Sequence, residues 1–229
     1  MTMPTVLITG ATRGIGRALV SELADDHHLI LGGRDRADLR ELAAQLPSAR
    51  PFPADLTDPP AVAEQVAALD LAQGLDGLVH SAGVLVRGRI EELSAADWTR
   101  SFTANVTAIA DLTRLLLPAL RQARGTVVAI NSGSGFTSGP GGSAYAASKF
   151  ALRAFTDALR AEEREHGVRV SSVHPGRTAT DMQRQLRASE GGEYREGDYM
   201  RPETVAATIG LALRLPDEAN IDVLSVRPR

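Results

Sequence analysis

The chain has no cysteine, so neither disulfide cross-links nor thiolate metal sites enter any account of it. That absence fits a reducing, cytoplasmic setting. It also lacks a large excess of charge. A formal net charge of −3 and a pI near 6.0 give no general electrostatic attraction to nucleic acid or to a membrane surface. No uninterrupted apolar run approaches the ~20 residues needed to cross a bilayer. The start, Met1-Thr-Met-Pro4, leads almost at once into a strand-like segment, which leaves no room for a secretory leader. Asp, Glu and His form no metal-like cluster, and no Gly-x-Ser-x-Gly elbow of a serine hydrolase occurs. Internal repeats and linkers are missing too. What remains is 229 residues, enough for one substantial core, read as a single domain over 1–229 in a soluble cytoplasmic protein.

Within that chain, apolar β-branched runs alternate with helical periodicity. Pro4–Thr9 reads as the first strand and Arg17–Ala24 as a helix. His28–Gly32 is a second strand, followed by a helix through Leu39, Leu42 and Leu46 that Pro47 stops. A third short strand surrounds Pro51-Phe-Pro53, and Pro59-Pro60 opens a helix to about Leu69. Leu75–His80 is the fourth strand. A long helix then starts at Asp97-Trp98, passes Asn105, and nears its end at Pro118. The run Gly125–Ser132 is the fifth strand, the helix holding Tyr145 extends to about Glu165, and Val168–Val173 and Ile221–Val226 complete seven strands. Such alternation predicts an α/β fold, a Rossmann-type doubly wound parallel sheet with helices on both faces. Gly10, Ser81, Ser132 and Pro175 each follow a strand, so they gather at the carboxyl edge where such sheets place their sites.

Two constellations carry chemistry. In Tyr145-Ala-Ala-Ser-Lys149 the tyrosine and lysine, four apart, share a helix face. A phenol titrates near about 10, and a nearby ammonium should lower that value toward working pH. Ser132, at the end of an apolar strand, can hold a substrate oxygen beside the phenol. The second constellation is Gly10-Ala-Thr-Arg-Gly-Ile-Gly16, between the first strand and the first helix. Gly10 permits a tight turn, Gly14 lets backbone approach a pyrophosphate, and Gly16 lets helix pack on strand.

Together these motifs resemble the short-chain dehydrogenase/reductase family along nearly the whole chain. Thr9–Gly16 is similar to its cofactor loop, which implies contacts from Gly10, Thr12, Arg13, Gly14, Ile15 and Gly16. Asp55-Leu56 resembles its adenine-contact pair. His80-Ser-Ala-Gly83 stands where the family usually has Asn-Asn-Ala-Gly, which keeps Ser81, Ala82 and Gly83 as contacts but leaves the support of the central strand open. Asn105 matches the asparagine that joins Ser132, Tyr145 and Lys149 in a catalytic tetrad, where it holds a water linking Lys149 to a proton relay. Pro175–Thr180 matches the segment that closes over the nicotinamide, implying contacts from Pro175, Gly176, Thr178 and Thr180. Tyr145 and Lys149 would also touch cofactor, the lysine through the ribose hydroxyls. Residues 181–201, with Tyr194 and Tyr199, correspond to a substrate lid containing a short helix, Met182–Ala188. Family members form dimers or tetramers through the two helices that here hold Asn105 and Tyr145, so a homodimer or homotetramer is expected. Leu112, Leu115, Leu116, Phe150 and Phe155 are candidates for that surface or for the core.

The implied activity is hydride transfer between a nicotinamide cofactor and a small carbonyl or secondary alcohol, with Tyr145 as acid and base. A dinucleotide-binding regulator without activity, and an isomerase or dehydratase on the same scaffold, are the rival classes. Local chemistry selects NADP(H) over NAD(H). An NAD site places a carboxylate at the end of the second strand. Here Gly33 stands there, Arg34 follows, and Arg13 can approach from the glycine loop, with Asp35 as a possible neutralising neighbour of Arg34. His80 and His174 each lie near a strand end and are given no catalytic role.

Overall fold

The computed structural model describes residues 3–229; Met1 and Thr2 of the expected domain lie outside them. Seven strands form one sheet: β1 (Thr5–Thr9), β2 (His28–Gly33), β3 (Ala49–Pro53), β4 (Gly77–His80), β5 (Thr126–Ile130), β6 (Arg169–Pro175) and β7 (Val223–Val226). Their order is β3-β2-β1-β4-β5-β6-β7, and every pairing is parallel. The chain therefore builds outward from β1 in one direction, then returns to β1's other side with β4 and builds the other way. This reversal places a crevice at the carboxyl ends of β1 and β4.

The strands are apolar on both faces because helices cover both. Alternation with a period of two sorts the side chains. Val6, Ile8, Leu29, Leu31, Val79, Val128 and Val173 pack with Leu19 and Leu23 of α1 (Gly14–Leu23), Leu39 of α2 (Arg36–Ala44) and Ile209 of α8 (Pro202–Leu213). Leu7, Ile30, Leu78, Val127 and Val170 pack on the other face. Their partners are Val62 of α3 (Pro59–Ala67), Leu112, Leu116 and Leu120 of α5 (Ala108–Ala123), and Leu159 of α6 (Ser143–Glu163). Leu112 and Leu116 are thus core rather than intersubunit surface, and of the five residues considered for such a surface Phe150 is the exposed one.

Helix starts follow local chemistry. Asp35 caps α2 by accepting from Ala37 N (2.8 Å) and Asp38 N (3.1 Å), and Asp58 caps α3 ahead of Pro59-Pro60. Ser94 and Asp97 form a reciprocal box on α4 (Ala95–Phe102). The long helix expected around Asn105 is interrupted: α4 and α5 are joined by a π-turn over Thr103–Thr107. Such one-turn widenings of an α-helix are frequent at functional sites. Pro118 does not end α5, which continues to Ala123, because the proline sits on the exposed face where water can serve the freed carbonyl. Ser132 lies two residues past β5, not on it. The stretch 181–201 contains α7 (Asp181–Ser189), close to the expected short helix. Its base is closed by Ala179 N to Met200 O (2.7 Å) and Met200 N to Arg177 O (3.1 Å).

Gly16 shows how tightly α1 lies on β1. A Cβ there would collide with the carbonyl oxygen of Gly10, a backbone atom that cannot swing aside. Gly16→Ala is expected to destabilise the protein by roughly 1–3 kcal/mol, read as a lower urea midpoint at unchanged slope. An unshifted midpoint would mean that α1 is not seated this closely.

Candidate active site

The crevice is assembled by loops leaving β1, β4, β5 and β6. At β1, Gly10 (φ 66°) and Gly14 (φ 54°) adopt left-handed backbone that other residues rarely take. A Cβ on Gly10 would stand 3.0 Å from Ala82 N, so the glycine loop and the loop after β4 touch. Helix α1 begins here with no side-chain cap and no acidic residue in its first turn. Its first amides are left for an anion, and the cradle fits a pyrophosphate. Ile15 turns its side chain onto the core, so its contribution to the cradle is backbone. Thr12 is half-buried and Arg13 is exposed at the loop's rim. Across the loop, the Thr180 methyl lies 3.4 Å from where a Gly14 Cβ would be, which brings the segment after β6 over the same spot.

The His80-Ser81 departure is compensated from β1. Thr9 Oγ1 accepts from Ser81 N (3.0 Å) and Ala82 N (3.1 Å) and donates to Val79 O (3.4 Å). His80 is buried and pairs through Nε2 with Thr113 Oγ1 (2.9 Å), and burial pushes its pKa down to about 3. It stays neutral and structural. Gly83 is needed because a Cβ there would stand 3.0 Å from Asn105 Oδ1.

Asn105 is fully buried in the π-turn and uses its whole amide. Oδ1 accepts from Val84 N (2.9 Å), while Nδ2 donates to Val84 O (3.0 Å) and to Ser148 Oγ (3.0 Å). Ser148 in turn donates to Tyr145 O (2.7 Å). The side chain therefore clamps the β4 loop to the first turns of α6. Ser148 was not among the expected site residues; its place next to Lys149 in the Tyr-Ala-Ala-Ser-Lys run was the available signal.

Tyr145 and Lys149 project from α6 on the side of Ser132, whose hydroxyl accepts from Ser134 N (3.1 Å) and is near enough to the phenol to favour its ionised form. Lys149, the only lysine in the sequence, is buried and donates from Nζ to Ile130 O (2.9 Å), with Nζ 5.8 Å from the Tyr145 ring centre. The expected lowering of the phenol's pKa is not found in the protein alone. Desolvation holds Tyr145 above its ordinary value, and the nearby Ser132 hydroxyl opposes that only in part. Burial also brings Lys149 down to about 8, so its charge is weakly held. An arginine could not be tuned in this way.

Toward the adenine end, Arg34 follows β2 and is exposed, and neither it nor Arg13 has a carboxylate within ion-pair distance among the described residues. Asp35 is occupied as the cap of α2 and does not neutralise Arg34. Asp55 accepts from Thr57 N (2.9 Å) and Thr57 Oγ1 (2.7 Å); these bonds hold its carboxyl below the usual range, and Arg34 adds to the effect. Leu56 packs partly on the core, which leaves Asp55 the more open of that pair. Past β6, Pro175 is the last strand residue and Gly176 N donates to Val226 O (2.7 Å). Thr178 Oγ1 donates to Gly176 O (3.1 Å), and Thr180 Oγ1 caps α7 by accepting from Gln183 N (3.3 Å). Arg177 and Arg187 both grip Glu190, at 2.7 Å and 2.6 Å, and tie α7 to this segment.

The family profile described as short chain dehydrogenase matches residues 4–191. An uncharacterized short-chain type dehydrogenase/reductase of Sinorhizobium fredii is 33% identical over 97% of this chain and 90% of its own length. Among solved structures, an alcohol dehydrogenase of Thermococcus sibiricus complexed with 5-hydroxy-NADP superposes with a TM-score of 0.88 at 26% identity, covering all of both chains. The closed form of a serine dehydrogenase complexed with NADP+ also gives 0.88, at 27% identity over 97% of this chain and 94% of that one. The glycine loop, the buried lysine with its half-buried tyrosine, and the seven parallel strands thus come together with these likenesses: the chain belongs to the short-chain dehydrogenase/reductase family of oxidoreductases.

Proposed function

We propose that the protein is an NADP(H)-dependent reductase or dehydrogenase acting on a small carbonyl or secondary alcohol. The observation that carries this reading is the gathering, at the one sheet edge that also bears an anion-ready glycine loop, of a protonated phenol, a serine hydroxyl near it and a lone buried lysine. Reduced nicotinamide, when bound, supplies the hydride. Ser132 holds the substrate oxygen, and Tyr145 gives its proton to that oxygen. A phenol kept neutral by burial is already in the form that reduction requires. In the oxidation direction the Tyr145 oxygen must first be a phenolate, which a charged Lys149 assists, and it then takes the proton of the alcohol as hydride leaves. Lys149 would also hold the ribose hydroxyls, and Asn105, its amide committed to Val84 and Ser148, keeps the β4 loop and α6 in register. Arg13 and Arg34, free of carboxylate partners among the described residues, would receive the 2′-phosphate. The NADP forms named for two neighbouring structures support that preference.

Tyr145→Phe should lower turnover of an aldehyde and ketone panel by roughly 10²–10⁴-fold while cofactor affinity stays the same. Near-wild-type turnover in a folded Tyr145→Phe protein would exclude the assigned role.

Hydrogen bonds to charged groups contribute about 1.5–3 kcal/mol, so Arg34→Ala should weaken NADPH roughly 10- to 100-fold and NADH much less. Fluorescence titration of both cofactors tests this, and equal or tighter NADH binding by the wild type would refute the preference.

Lys149 carries its proton below about 8 and loses it above. The pH profile of kcat/KM for NADPH, measured at saturating carbonyl and so reporting groups of the free enzyme, should therefore fall on an alkaline limb near that value. A profile flat up to about pH 10 would contradict a requirement for the ammonium.

A further inference from the structure

His174 takes no part in the proton transfer just described, yet it is fully buried at the active-site end of β6 and both its ring nitrogens are engaged. The β5–β6 ladder ends with Ile130 opposite Val173, and its last backbone bond is Asn131 N to Val173 O (2.7 Å). Ser132, the next residue, has left the sheet, and its backbone needs other partners. Its N–H goes to Asn131 Oδ1 (2.9 Å). Its carbonyl accepts from Gly135 N (2.9 Å) and from His174 Nδ1 (2.8 Å).

These partners fix the tautomer. A carbonyl can only accept, so Nδ1 carries the hydrogen and a neutral ring leaves Nε2 bare. Nε2 then accepts from Ser172 Oγ (2.9 Å), which lies two residues back on the same strand face. Ser172 Oγ in turn faces Asn131 Nδ2 at 3.5 Å. Burial keeps the imidazole below its ordinary pKa, and the charges of Arg153 and Lys149 act in the same sense, against the Ser132 carbonyl and Asp157. Phe136 covers one ring face at 4.1 Å between centres, and Arg153 lies over Phe136 at 4.8 Å. The imidazole thus continues the work of the sheet ladder at the point where the ladder stops.

We propose that His174 is a positioning residue for the reaction: its Nδ1–H, oriented by Ser172 and Asn131, holds the Ser132 backbone so that the serine hydroxyl meets the substrate oxygen at the Tyr145 phenol. The inference rests on the proposed oxidoreductase function. A histidine that merely fills the core would affect stability without acting through Ser132, and that difference is measurable.

The test is a double-mutant cycle with turnover and NADPH affinity read separately. His174→Phe keeps a ring without the donor. It should lower kcat about 10- to 100-fold, the scale of a small misplacement of a reacting group, with the NADPH dissociation constant unmoved. His174→Asn, whose amide nitrogen falls near the Nδ1 position, should recover most of that loss. In a Ser132→Ala background His174→Phe should add less than about twofold. Wild-type kcat in His174→Phe, or losses that multiply fully with Ser132→Ala, would overturn the proposal. Nitrogen NMR of the wild type gives a readout that needs neither substrate nor a folded variant. A neutral His174 protonated on Nδ1 is expected, and an Nε2-protonated ring would refute the proposed bond. If wild type turns over no carbonyl better than Tyr145→Phe, the oxidoreductase reading fails, while the NMR result still decides the hydrogen bond to Ser132.

Discussion

Parallel pairing of β1 with both β2 and β4 is the constraint on which the rest of the structure depends. Because every strand runs the same way, each strand-to-helix loop emerges at one edge, and the reversal beside β1 opens the crevice there. The pairing works only if backbone can approach backbone closely. Gly10 against Ala82, and Gly16 against the Gly10 carbonyl, are the contacts that a side chain would forbid. Thr9 Oγ1 then satisfies the amides of Ser81 and Ala82 just where the β4 ladder ends. The same arrangement that closes the sheet also frees the α1 amides for an anion.

Burial decides the protonation of the site. In water a lysine would be firmly charged and a phenol would titrate near about 10. Enclosed between α6 and the end of β5, the ammonium is loosened to about 8 and the phenol is stiffened toward its neutral form. Both shifts come from desolvation, so a bound dinucleotide, which brings its own hydroxyls and charge into the crevice, will change both. Under the proposed function, the acid–base poise belongs to the complex rather than to the tyrosine–lysine pair alone.

Around this centre, side-chain polar groups take over wherever regular secondary structure stops. Asn105 occupies the π-turn and uses its whole amide to join the β4 loop to α6. His174 and Asn131 serve the Ser132 backbone beyond β5. Thr180 and the Arg177–Glu190–Arg187 group anchor α7 beside the crevice. Each is a buried or paired polar contact whose loss leaves a backbone group or charge without a partner.

The sequence by itself determined the alternation of seven strands with helices, the parallel sheet and the glycine cradle. These rest on local periodicity and backbone permissiveness, which residues such as Val6–Ile8 and Gly10–Gly16 display without knowing their neighbours. It also singled out Tyr145, Lys149 and Ser132, because helical spacing and a strand end are short-range facts. Tertiary structure alone decided the rest. It put Leu112 and Leu116 in the core, widened the helix at Asn105, carried α5 past Pro118, raised the phenol's pKa instead of lowering it, and brought His174, 42 residues from Ser132 in sequence, onto the serine's carbonyl. Each of those depends on how much water and which distant atoms surround a residue, and no spacing along the chain encodes that.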